Sequence, residues 1–134
     1  MNGTTDLQQL LSSLAPRALT GEWAFCTPTP AQLVATPRLA DEALSTFRES
    51  EGLSLLLPIE RASELELSFD GSFTGITLDV HSSLHAVGLT AVVATRLGEA
   101  GISANVIAAA FHDHVFVPTT DAARALAILN SLHG

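Results

Sequence analysis

The sequence predicts an α+β fold in which a strand–helix–strand–strand–helix order occurs twice. Three observations carry this. Residues 73–80 alternate Ile76, Leu78 and Val80 against Thr77 and Asp79, as a half-buried strand does. Leu89, Val93, Leu97 and Ala100 then recur at helical spacing from about Val87, and Gly101 is a good left-handed terminator. Finally, Leu55-Leu56-Leu57-Pro58 followed by Ala62 is echoed by Val115-Phe116-Val117-Pro118 followed by Ala122. In both places a return strand meets a proline and then a helix, which points to a duplication.

The remaining elements follow in chain order. Leu7, Leu10, Leu11 and Leu14 mark a first helix, with Thr5 and Gln8 as its capping box and Pro16 limiting its far end. Glu22 to Thr27 reads as a strand with Trp23 and Phe25 on one face. Pro28 to about Ala43 holds three prolines and reads as a loop with one helical turn. Ser45–Glu49 and Leu53–Leu57 form a hairpin around Glu51-Gly52, and Ile59–Leu65 is a short helix. Ile102–Phe111 is too apolar for the surface and is expected as a central strand, with His112-Asp113-His114 as the next turn. Thr119 or Thr120 caps a last helix with Ala122, Ala125, Leu126, Leu129 and Leu132 inward. Each half approximates the split βαβ of ferredoxin-like folds. The second half lacks a strand after its last helix, so the halves are expected to complete each other's sheets.

Composition narrows the function. A chain of 134 residues buries about two-thirds of its unfolded surface and folds without a staple. The single cysteine, Cys26, excludes an intrachain disulfide and a thiolate metal cluster. Six basic residues against fourteen acidic give a net charge of −8, which argues against nucleic acid or anionic lipid as partner. All six cations are arginine; with no lysine and no tyrosine, Schiff-base, P-loop-lysine and phenol chemistry are excluded. The polar start and the broken apolar stretches give no leader or membrane span, so the cytosol is the expected compartment.

Five histidines stand out against so few charges. His112 and His114, two apart, could face one way and chelate a metal, although turn histidines more often face solvent or cap carbonyls. Ser82 and Ser83 beside His81 and His85 match an N-cap pair better than a nucleophile elbow. Glu49, Glu51, Glu60, Glu64 and Glu66 read as a solvated acidic face. The segment Asp79–Thr90 is more informative. A strand end feeds a polar loop and then a helix start at Val87-Gly88-Leu89, where backbone amides make an anion site and a glycine admits a ligand closely. Asp79 could pair with an ammonium. Side-by-side anion and cation recognition is what a free amino acid demands. The bland alternative is that Gly88 only permits tight helix–sheet packing.

With those residues in view, the run Val80-His81-Ser82-Ser83-Leu84, Val87-Gly88-Leu89-Thr90-Ala91 and Gly101-Ile102-Ser103-Ala104-Asn105-Val106-Ile107 resembles the ACT domain of aspartokinase regulatory regions. Across the whole chain, Thr46-Phe47-Arg48-Glu49 near Glu51-Gly52, the His-Ser-Ser-Leu segment and His112–Pro118 are similar to a bacterial family of stand-alone tandem ACT proteins. The match is strongest over about 70–118 and patchy before 45. The resemblance implies two ACT-like βαββαβ halves, a degenerate one at 1–69 and an ACT domain at 70–134, and a regulatory protein that binds an amino acid rather than an enzyme. It implies no cofactor, and no metal. By position it places Gly88 and Leu89, with Val87, as the amide cradle. Asn105 and Val106 supply polar and backbone contacts, and Asp79 and His81 flank the ligand. Aspartokinase carries a kinase domain for its ACT pair to regulate, and this sequence shows none. The alternatives are a ligand-free structural unit in which Val106–Phe111 builds an intersubunit sheet of a homo-oligomer, and a histidine metal protein or enzyme.

Overall fold

The computed structural model describes residues 6–80 and 87–132. Along the chain lie α1 (Leu7–Ser13), β1 (Ala15–Ala18), β2 (Trp23–Cys26), α2 (Pro30–Ala35), β3 (Ser45–Glu49), β4 (Gly52–Pro58), α3 (Ile59–Glu64), β5 (Phe73–Asp79), α4 (Leu89–Glu99), β6 (Asn105–Ala108), β7 (Asp113–Pro118) and α5 (Ala122–Asn130). Short 3-10 turns at Leu39–Glu42 and Thr119–Asp121 precede β3 and α5. The packing groups the chain into two compact units, Gly21–Phe73 and the residues up to Thr20 together with Thr74 onward.

In the first of these units β4 pairs antiparallel with β3 on one side and β2 on the other. Ala24, Cys26, Leu55 and Leu57 face a core completed by Leu39, Ala62 and Leu67. Burial pushes the Cys26 thiol pKa up, so this cysteine behaves as a small core side chain. The expected loop at 28–43 contains α2, held by a full capping box in which Thr29 and Gln32 bond each other's backbone. The prolines hid it, yet Pro30 occupies the first helical turn, where no N–H is required.

The other unit is discontinuous in sequence. Its sheet runs β1-β5-β7-β6, with Ala15, Arg17 and Ala18 opposite Asp79, Thr77 and Ile76. The strand missing after the last helix of the second half is therefore β1, drawn from before residue 20. β1 has no counterpart in the expected elements: Pro16 reads as a helix stop in the sequence, and in the fold it sits in a sheet position opposite Leu78. Ile76, Leu78, Val115 and Val117 line one face under Leu89, Val93 and Leu97 of α4 and Ala125 and Leu129 of α5, with Leu10 and Leu14 of α1 closing the core.

Several expectations change here. The Thr5 cap lies outside the described residues, and Asp6 caps α1 by accepting from the Gln8 and Gln9 amides. β5 is buried on both faces from Gly75 to Leu78 rather than half-buried. On the face away from the helices, Phe116 lies so close to Gly75 that a Cβ there would sit 2.6 Å from its ring. Among the described residues β6 is an edge strand, not a central one, and Phe111 is 54% exposed. An uncharged run of small residues reads as buried by composition alone, but Ala108–Ala110 leave little apolar surface to hide. The turn before β7 is Ala109–His112, closed by the Ala109 amide on the His112 carbonyl at 3.0 Å. Asp113 and His114 thus belong to the strand. Neither 3-10 nor helical start at 119–122 has a side-chain cap from Thr119 or Thr120.

Candidate functional site

The site expected from sequence lies in the discontinuous unit, and its residues do not all meet. Asp79 ends β5 with its side chain 46% exposed. Antiparallel pairing places β1 beside it, so Arg17 reaches across and its Nε stands 3.5 Å from Asp79 Oδ2. From the other side His112 Nε2 stands 3.4 Å from Asp79 Oδ1. Two residues inward on the same face, the buried Thr77 hydroxyl is 3.0 Å from His114 Nδ1. Burial holds the His114 pKa below the usual imidazole value, with His112 pushing the same way. His114 is thus a neutral, hydrogen-bonded ring rather than a cation. The neighbouring Asp113 alternates to the opposite face, and burial raises its carboxyl pKa.

The helix start is built differently from its expected role. Gly88 is the N-cap of α4 with φ +107°, a conformation that other residues reach only with strain. A Cβ at this position would lie 3.0 Å from the Leu7 side chain of α1. The chain's own backbone and packing therefore demand glycine at 88. Leu89 is buried in the core and could offer a ligand only its backbone, while Val87 is exposed. No side chain caps the first turn of α4.

Asn105 and Val106 sit elsewhere. Asn105 opposes Phe116, whose ring lies against Gly75, four residues back along β5 from Asp79. That is about 13 Å along the strands, so one ligand within this unit cannot touch both Asp79 and Asn105. The Asn105 side chain donates to the Phe116 carbonyl at 3.1 Å, and Val106 packs toward the core. A shallow hollow of about 280 Å³ runs along α4, lined by Ala91, Val92, Thr95 and Arg96. A smaller one of about 110 Å³ lies in the other unit, between α2 and the end of α3. Neither is lined by Gly88 or Asn105. His81 falls outside the described residues, as do Ser82, Ser83 and His85. Sequence reasoning missed Arg17, because only the pairing of β1 with β5 brings residue 17 to residue 79. Among the described residues no three His, Cys, Asp or Glu side chains gather in a way that could hold a metal, so the His112–His114 pair lacks further ligands.

Models of the ACT domain match residues 2–74 and 71–131, and this chain belongs to the ACT domain family, as two tandem ACT domains in an α+β fold. A Vibrio cholerae protein of unknown function, described as a possible transport protein, is 43% identical, with 96% of each chain covered and a TM-score of 0.81. An Agrobacterium tumefaciens protein is 20% identical over 90% of this chain and 89% of its own, with a TM-score of 0.72. The ligand-free regulatory subunit of aspartate kinase from Thermus thermophilus shares the fold at 9% identity, with a TM-score of 0.60 and 90% and 98% of the two chains covered. No curated protein matches the sequence. The resemblance to aspartokinase ACT domains thus holds at the level of fold. Among the described residues no helix is long and apolar enough to cross a membrane.

Proposed function

We propose that this chain is a regulatory ACT-domain protein that binds a small molecule of amino-acid type and carries out no catalysis of its own. The observation that carries the reading is the pair of ACT-domain matches. Two ACT-domain matches take up residues 2–131, and the fold is that of a regulatory subunit covered over 98% of its length. The ligand end is the one where β5 stops and α4 starts, with Asp79 facing an ammonium and the amides from Gly88 and Leu89 facing a carboxylate. His81 would join them from the connecting segment. On this reading the functional halves are 1–69 and 70–134, and the compartment is the cytosol.

Calorimetry of the full chain against the twenty amino acids tests this. One or a few should bind, and Asp79→Asn should weaken binding about tenfold while the fold stays intact. Silence from all twenty on a folded sample overturns it. A second reading, a structural module joined edge to edge with a second copy, is favoured by β6. This edge strand carries no charge to block pairing, and exposed Phe111 follows it. A monomer by light scattering removes it.

A further inference from the structure

Three groups meet at the end of β5: a guanidinium, a carboxylate and an imidazole. Arg17 and His112 approach opposite oxygens of Asp79, at 3.5 and 3.4 Å, and the three side chains are 58%, 32% and 46% exposed. Both contacts are longer than the roughly 2.7–2.9 Å of a good charge-assisted hydrogen bond. Each group therefore keeps bonding capacity toward solvent, and exposed pairs of this kind do little for stability. With His112 protonated the row runs cation, anion, cation, complementary to a molecule whose charges run carboxylate, ammonium, carboxylate.

We propose that this row takes an acidic amino acid, with Arg17 and His112 each holding one carboxylate and Asp79 holding the ammonium. The proposal rests on the amino-acid reading above and narrows it to one ligand class, with the side chains of Arg17 and His112 taking the carboxylates in place of the helix-start amides. Among the described residues the surroundings add no competing cation on this face. Thr77 engages His114, which burial keeps neutral, Asp113 alternates to the other face, and β6 brings no charge. Arg17 is a guanidinium suited to a planar carboxylate. His112 contributes charge to this row only when protonated.

The test uses the full chain with L-aspartate and L-glutamate, set against L-asparagine and L-glutamine and against succinate and glutarate. At pH 6 the acidic amino acids should bind about tenfold more tightly than either comparison group. Arg17→Gln and His112→Asn should each erase most of the preference over the amides, and Asp79→Asn the preference over the diacids. Amides that bind as tightly as acids overturn the proposal while leaving amino-acid binding in place. Diacids that bind as tightly as the amino acids overturn the role of Asp79. If none of the twenty amino acids binds, both readings fall.

Discussion

At the residue scale, the pair Thr77–His114 shows how burial sets charge. Thr77 is 2% exposed, and its hydroxyl meets a ring nitrogen that would otherwise be unsatisfied in the sheet. Desolvation lowers the His114 pKa, His112 and Arg17 push it lower still, and Asp113 opposes them. The sign follows directly. In the unfolded chain the imidazole accepts a proton near its ordinary value of 6.5, whereas in the fold it resists. The unfolded state then binds more protons, so stability falls as the pH drops below about 6.5. His114→Asn should flatten this fall. Urea unfolding of both chains, followed by circular dichroism from pH 7.5 to 5, checks it. Equal slopes would mean that His114 titrates as freely in the fold as out of it. Asp113, raised by burial, acts with the opposite sign at more acidic pH and does not mimic the effect.

At the element scale, α3 and α4 end in the same motif with different residues. After α4, the Ile102 amide bonds the Leu97 carbonyl at 2.9 Å and the Gly101 amide bonds Gly98 at 3.0 Å, with Gly101 at φ +75°. After α3, the Leu67 amide bonds Ala62 at 3.0 Å and the Glu66 amide bonds Ser63 at 3.1 Å, with Glu66 at φ +55°. Both are Schellman closures, and both place a buried residue, Ile102 or Leu67, after the left-handed position. Glycine meets that conformation without strain in α4; glutamate does not in α3. Glu66→Gly should therefore stabilise the 21–73 unit by about 0.5–1 kcal/mol, less the entropy that glycine adds to the unfolded chain. Trp23, the sole tryptophan, lies in that unit, so its fluorescence during urea unfolding reports the shift. An unchanged or lower midpoint would mean that the Glu66 side chain does more than tolerate its backbone.

At the scale of the whole molecule, the 21–73 unit interrupts the other unit in sequence. The chain leaves β1 after Ala18 and returns to its partner strand at β5, where the Leu19 amide bonds the Gly75 carbonyl at 2.8 Å. Thr20 and Thr74 are the next pair in that antiparallel register. Replacing residues 21–73 by Asn-Gly would close them as a two-residue hairpin of a favoured type. The remaining unit keeps its own core of α1, α4, α5 and its four strands. The shortened chain should fold and unfold cooperatively, with a midpoint below that of the parent. Circular dichroism and urea titration decide this, and a disordered product would show that the units fold only together. Thr74 donates to Thr119 at 3.1 Å, so the closure leaves that bond in place.

Much of this was legible in the chain. Periodicity located α1, α4, α5, β5 and the two return strands, because apolar spacing records which face an element buries. The echo of Leu55–Pro58 in Val115–Pro118 and the runs around Gly88 and Gly101 pointed to two ACT-like halves. What the sequence could not hold is who pairs with whom. Four residues of β1 carry no periodic signal, since a strand of that length is defined by its partner's hydrogen bonds rather than by its own side chains. Only the pairing of β1 with β5 brings Arg17 to Asp79 and groups the residues up to Thr20 with those from Thr74 onward, and only the pairing of β6 with β7 sets Asn105 opposite Phe116, away from Asp79. Local spacing fixes the elements; hydrogen-bond partners distant in sequence fix the site.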